Sequence, residues 1–269
     1  MKKENVIAFE SFRLGKEQKT ISNTLIEKLY DFLALSYHLI NQEEFLQLII
    51  KPNEPGELVV LYGRWDDIAG FCRIFEQKLR IDDKLVTVYL ACVQFNQKYN
   101  PYPTSASMGL AQGISHKLEH PEEEIVYVAL ANTPFSYEVF NQMIKSLYPT
   151  PGRQVPFQVL KTIEALKKYN GWYTTGNHPM VISSILVPIR SYNPDFQYDN
   201  SALCDFYLSI NPDYRQGNAL LTYIPLNLAN INYGLNAPST TSYTNKPPHH
   251  LYPEPTYLGD GRIGVHLTK

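Results

Sequence analysis

The residues whose types and spacing best suit chemistry are the small ones at Thr104-Ser105-Ala106-Ser107-Met108-Gly109. They follow a long apolar run, Leu85 to Phe95, and precede a helical pattern that ends at His120-Pro121. A small-residue loop at a helix N-terminus leaves backbone N–H groups without partners and meets the positive end of the helix dipole, so it suits an anion. Gly109 allows close backbone approach, and Ser105 or Ser107 can cap the helix. The pattern fits a phosphorylated ligand without naming it, and a helix simply capped by serine reads the same way. His116 and His120 stand four apart, which is also zinc-ligand spacing. The sequence offers them neither a metalloprotease glutamate nor a clear third ligand, so they read as a surface pair. Cys72, Cys92 and Cys204 lie far apart inside apolar patterns and read as buried reduced thiols. The chain carries no Gly-x-Ser-x-Gly elbow, Walker loop or dinucleotide fingerprint, and Gly109 and Gly113 have the wrong spacing for the last of these.

Those residues need elements to hold them. Leu85 to Phe95 is too rich in β-branched and aromatic residues for a helix, and Ile125 to Asn132 reads as a second buried strand. Before them, Leu25, Ile26, Leu29, Phe32 and Leu33 recur at helical spacing after a cap at Ser22 or Thr20, and Asn41 caps a second helix running to Ile50. Val6 to Phe9 reads as an edge strand. Later, Phe135 to Leu147 and Val155 to Tyr169 read as helices, the latter stopped by Asn170-Gly171. Met180 to Ile189 and Ala219 to Leu226 read as strands, and Leu203 to Ile210 fits either type. The alternation argues a mixed α/β sheet with helices on both faces. From Asn236 onward the chain is rich in Pro, Thr, Asn and Tyr and reads as an extended arm.

With 269 residues, 44% hydrophobic and 19% charged, the chain is globular. A net charge of −2 gives no field to gather nucleic acid or anionic lipid. No apolar run reaches membrane-span length and no secretory pattern follows Met1, so a soluble cytoplasmic protein is expected.

The order of these elements resembles the GNAT superfamily of N-acetyltransferases over about residues 1–150. Gly63 to Gly70 looks like the turn between that family's second and third strands, with Ile68-Ala69-Gly70-Phe71 opening the third. Leu85 to Phe95 would be the fourth strand, Ser107 to His120 the third helix, and Glu124 to Asn132 the fifth strand. The resemblance implies a mostly antiparallel, acyl-CoA N-acyltransferase-like sheet in which the fourth and fifth strands splay apart. It further implies acetyl-CoA or another acyl-CoA as cofactor, with its pantetheine arm lying in the gap, and an amine on a small molecule or protein as acceptor.

On this reading, backbone groups at Val93, Gln94 and Phe95 hold and polarise the thioester. Thr104, Ser105, Ser107 and Gly109 cradle the phosphates, and Asn132 matches the asparagine that ends the fifth strand. Tyr137 would protonate the leaving thiolate; the family's tyrosine register falls between Tyr137 and Phe140, and only Tyr137 has a proton to give. The loop departs from the family's pattern, having no Gln or Arg at its start and no closely paired glycines. That departure supports a second expectation, a GNAT-like interaction module without catalysis. The expected layout is a GNAT-like core at 1–150, an α/β extension at 151–235 and the arm at 236–269.

Overall fold

A computed structural model describes residues 4–15, 21–63, 67–96, 98–100, 113–184, 186–189, 202–227, 230, 255–257 and 263–265. In chain order the elements begin with β1 (Glu4–Asn5), β2 (Ala8–Leu14), α1 (Asn23–Ala34), β3 (Tyr37–His38) and α2 (Gln42–Phe45), which runs into a π-helical turn (Leu46–Ile50). There follow β4 (Gly56–Tyr62), β5 (Ile68–Ile81), β6 (Lys84–Phe95), β7 (Tyr99–Asn100), α3 (113–119), β8 (Glu124–Ala131) and α4 (Pro134–Met143). The remainder is α5 (Phe157–Asn170), β9 (Val181–Ser183), β10 (Val187–Pro188), α6 (Ala202–Ile210), β11 (Asn218–Pro225), β12 (Pro255–Tyr257) and β13 (Ile263–Val265).

Nine strands form one sheet in the order β12-β13-β2-β4-β5-β6-β8-β11-β9. Within it every described pair is antiparallel except β6 with β8. The expected mixed, mostly antiparallel sheet is therefore present. Val6 to Phe9 differs from its reading, because β2 starts at Ala8 and lies inside the sheet between β13 and β4. The region after residue 150 contributes β9 and β11 to the same sheet, and two short strands of the arm extend its other edge. Met180 to Ile189 splits into two short strands, and Leu203 to Ile210 resolves as helix α6.

β5 and β6 form the longest hairpin. Their turn places Asp82 (φ 47°) and Asp83 (φ 65°) in the left-handed region, which Asp tolerates and a two-residue hairpin demands. From Ile81–Lys84 the ladder runs without a register break to Gly70–Phe95. Residues alternate between faces along β6. Val86, Val88 and Leu90 point into a core with α4, α5 and α6, and Cys92 on the same face meets the core of α1 and α2. Tyr89 points the other way, where His116 of α3 packs edge-on at 5.7 Å between ring centres. Helices thus cover both faces.

Two local devices fix the walls near β6. Ser22 caps α1 and Asn41 closes a capping box with Glu44 on α2, as the sequence leads one to expect. The fully buried Arg73 of β5 donates to the carbonyls of Ile50, Lys51, Glu54 and Ile74 and lies 3.9 Å from the centre of the Phe75 ring. It nails the end of the π-helical turn to the sheet, and burial lowers its pKa to about 10.

Candidate active site

The β6–β8 ladder runs from Val86–Glu124 to Ala91–Ala129 and stops there. β6 nevertheless continues to Phe95 and β8 to Ala131. Each strand leaves the pair by following its other neighbour. β6 stays on β5, where Asn96 N–H donates to the Ala69 carbonyl at 2.9 Å. β8 stays on β11 through Ala131–Leu220, and the Tyr207 hydroxyl of α6 donates to the Ala131 carbonyl at 2.8 Å. Thr133 then caps α4 and Pro134 begins it, turning the chain out of the sheet.

Backbone direction follows from this register. In an antiparallel ladder, alternate residues exchange both bonds with the partner strand while those between face away. Since Asn96 bonds β5, the backbone of Gln94 also faces β5, and those of Val93 and Phe95 face the β8 side. On β8, Ile125 accepts from Leu226 on the β11 side, so the backbone of Leu130 faces β6. Val93 and Leu130 therefore look at each other across a gap in which the ladder supplies neither a partner. The sequence reading grouped Val93, Gln94 and Phe95 as one backbone cradle; the register separates Gln94 from the other two.

Side-chain amides stand on both lips. Asn132 Oδ1, just past β8, is buried and has no hydrogen-bond partner among the described residues. Gln94 is 6% exposed and its Nε2 donates to Ser36 Oγ at 3.0 Å. Ser36, in the α1–α2 connection, also accepts Ile189 N–H at its carbonyl. Tyr137 is brought near these residues in sequence but not in exposure. Its ring is fully buried, its hydroxyl donates to the Pro149 carbonyl at 2.8 Å, and burial pushes its pKa up to about 12. Thr104, Ser105, Ser107 and Gly109 lie outside the described residues.

The element order and the splayed parallel pair are those that the resemblance implies. No protein-family model matches the chain, and no curated protein sequence does. Among solved structures it is similar to a probable N-acyltransferase from Enterococcus faecalis V583 (11% identity, TM-score 0.36), with 51% of this chain covering 32% of that one. It is also similar to Escherichia coli ElaA (14% identity, TM-score 0.32), covering 54% of this chain and 94% of that one. A third is the Escherichia coli GNAT family N-acetyltransferase YhbS, solved in complex with CoA (11% identity, TM-score 0.33; 55% and 76% covered). The chain spans about a third of the length of the first of these.

On the far face of this sheet, beside the closed half of the strand pair, lies a polar chain that the sequence reading missed. His116 places Nδ1 2.8 Å from the Tyr89 hydroxyl and Nε2 3.0 Å from Glu123 Oε2, and Thr87 donates to the same oxygen at 2.6 Å. The Thr87 and His116 hydrogen bonds hold the Glu123 carboxyl at about 2, against an ordinary 4.5. With Glu123 ionised, His116 Nε2–H donates to its carboxylate. The expectation of a surface histidine pair is corrected for His116, whose side chain is 11% exposed, while His120 stays outside. Spacing showed the helical face but could not show that Thr87, Tyr89 and Glu123 converge on it. Cys72 and Cys92 are free thiols, pushed up by burial to about 12 and about 11. Neither is poised as a nucleophile at neutral pH.

Proposed function

We propose that the chain binds an acyl-coenzyme A and transfers the acyl group to an amine. The observation that carries this reading is the open half of the β6–β8 pair, where backbone donors and acceptors of Val93 and Leu130 face a gap instead of each other. An edge of that kind takes an extended amide-bearing chain as a further strand would. The buried Oδ1 of Asn132 adds an acceptor in want of an N–H donor on the second lip, and leaving it empty costs free energy.

When bound, acyl-coenzyme A supplies the thioester whose acyl group is transferred. The chain's part is to hold and polarise. Val93 directs its backbone N–H to the side where a thioester oxygen would lie, and a fixed amide dipole needs no reorganisation to stabilise growing negative charge. Tyr137 serves as proton donor to the leaving thiolate only by releasing Pro149. A Tyr137→Phe variant decides this: lost turnover with unchanged cofactor binding assigns it the acid role, and lost stability alone assigns it to the Pro149 bond.

The test is a thermal-shift titration with acetyl-CoA on the full chain and on Val93→Pro. A ligand that binds only the folded state raises the melting temperature, by about 2.7 kcal/mol of stability at a hundredfold excess over Kd. Proline removes the one N–H in question from a position that bonds no neighbouring strand, so the fold tolerates it. A dose-dependent rise that Val93→Pro abolishes supports the reading. No rise at saturating ligand moves it to a GNAT-like interaction module.

A further inference from the structure

Below the gap, side chains as well as backbone tie β6 to β8. Thr87 stands on β6 opposite Ile125, and its hydroxyl donates to Glu123, just ahead of β8, at 2.6 Å. Two residues on, Tyr89 registers with Tyr127, and their rings stack at 5.3 Å between centres and 29° between planes. His116 closes the circuit, with Nδ1 2.8 Å from the Tyr89 hydroxyl and Nε2–H donating to Glu123 at 3.0 Å. Its helix is seated tightly: a Cβ on Gly113, at the start of α3, would fall 2.3 Å from Leu226 Cδ2, just past β11. Lys78 of β5 adds a cation 3.5 Å from the other Glu123 oxygen. Thr87 and Tyr89 are buried, so their bonds meet little competition from water. The next residues on this face are Ala91 and Ala129, the last pair of the ladder, which offer each other only methyl groups. Large hydrogen-bonded side chains give way to methyls at the step before the strands part.

We propose that Thr87, Tyr89, His116 and Glu123 form a clamp at the root of the gap. They are positioning residues for acyl-coenzyme A: they set the rung at which β6 and β8 part, and so keep Val93 where the cofactor meets it. The inference rests on the acyl-coenzyme A reading. With β6 following β5 and β8 following β11, a parallel pair drawn from both sides goes on opening rung by rung unless something stops it. Parallel pairing is also slightly less stable per residue than antiparallel pairing. The clamp spans the strands twice, directly from Thr87 to Glu123 and from Tyr89 through His116, and the cross-strand tyrosine pair adds to both. An extended chain entering the gap as a further strand presses the same two strands apart. With the clamp intact, that opening stops at Ala91. With it broken, the Ala91–Ala129 rung opens, Val93 loses its fixed distance from the β8 lip, and ordering the edge on each binding event lowers affinity.

The experiment uses the full chain and Tyr89→Phe, which keeps the ring stack and removes the hydroxyl link. Amide hydrogen exchange is followed at Ala91 and Gln94 in the free protein, and the acetyl-CoA dissociation constant is measured by calorimetric titration. Leu166→Ala, on α5 against the opposite face of the sheet, is the control for lost stability. In Tyr89→Phe, exchange at Ala91 is expected to quicken about 10-fold while Gln94, bonded to β5, is unchanged, and acetyl-CoA is expected to bind roughly 3- to 10-fold more weakly. Leu166→Ala is expected to lower the melting temperature at least as much and to leave the acetyl-CoA constant unchanged. Unchanged exchange at Ala91, or faster exchange with no loss of acetyl-CoA affinity, overturns the inference and leaves the acyl-coenzyme A reading standing. An equal loss of affinity in Leu166→Ala also overturns it, because the clamp then acts through stability alone. An unaltered chain that does not bind acetyl-CoA overturns both. Should Tyr89→Phe fail to fold, Thr87→Val breaks the same clamp on its other route and decides by the same readouts.

Discussion

The same two strands behave in opposite ways at their two ends. From Val86 to Ala91, β6 is laddered to β8, and Val86, Val88 and Leu90 are buried against α4, α5 and α6. Beside this half, Thr87, Tyr89, His116 and Glu123 bolt α3 to the pair with hydrogen bonds of 2.6 to 3.0 Å. From Cys92 to Phe95, β6 keeps only β5, its residues are mostly half-buried, and amide side chains replace the hydroxyl and imidazole network. The lesson is that the gap needs no loop or hinge. It arises because each strand is held more firmly by its outer neighbour, β5 or β11, than by its twin.

That contrast can be broken at several points. Leu90→Ala, in the closed half, is expected to cost about 2–5 kcal/mol by loss of buried methyl groups and the cavity left behind, whereas Val93→Ala should cost under about 1 kcal/mol; urea unfolding of the pair measures both. Tyr207→Phe removes the hydroxyl that donates to Ala131 and accepts from Asn211, and should cost about 1–3 kcal/mol. If Tyr207 helps to draw β8 away, hydrogen exchange at Leu130 should also slow in that variant as the gap partly closes. The smallest effect is one of pH. Glu123 has a folded value of about 2, below its ordinary 4.5, so its contribution to stability is complete above 4.5 and is lost as pH falls toward 2. Melting temperature should therefore fall more steeply over that window in the wild type than in Glu123→Gln.

How much of this was legible beforehand follows from the range of the interactions. Strands β6 and β8, the caps at Ser22 and Asn41 and the Gly171 stop of α5 are local, written in β-branched runs and single capping residues. Their splay is not local. It depends on Tyr207, 76 residues beyond Ala131, and on which neighbour each strand follows. Ser36 was missed for the same reason, since a serine after a helix looks like any turn residue until Gln94, 58 residues later, is found against it. Leu203 to Ile210 carried an apolar pattern that fits two periods, and packing of Tyr207 on Tyr137 and Tyr214 settles it as a helix. That Tyr137 lies on a helix after β8 was legible; its bond to Pro149 was not.

The central claim is that the open half of β6 receives acyl-coenzyme A along the Val93 edge. Amide hydrogen exchange at Val93 and Gln94, measured with and without acetyl-CoA, tests it most directly. The account predicts that Gln94, bonded to β5, is protected in both conditions, while Val93 exchanges readily in the free protein and becomes protected when acetyl-CoA is added. Protection at Val93 that is unchanged by saturating acetyl-CoA would contradict it.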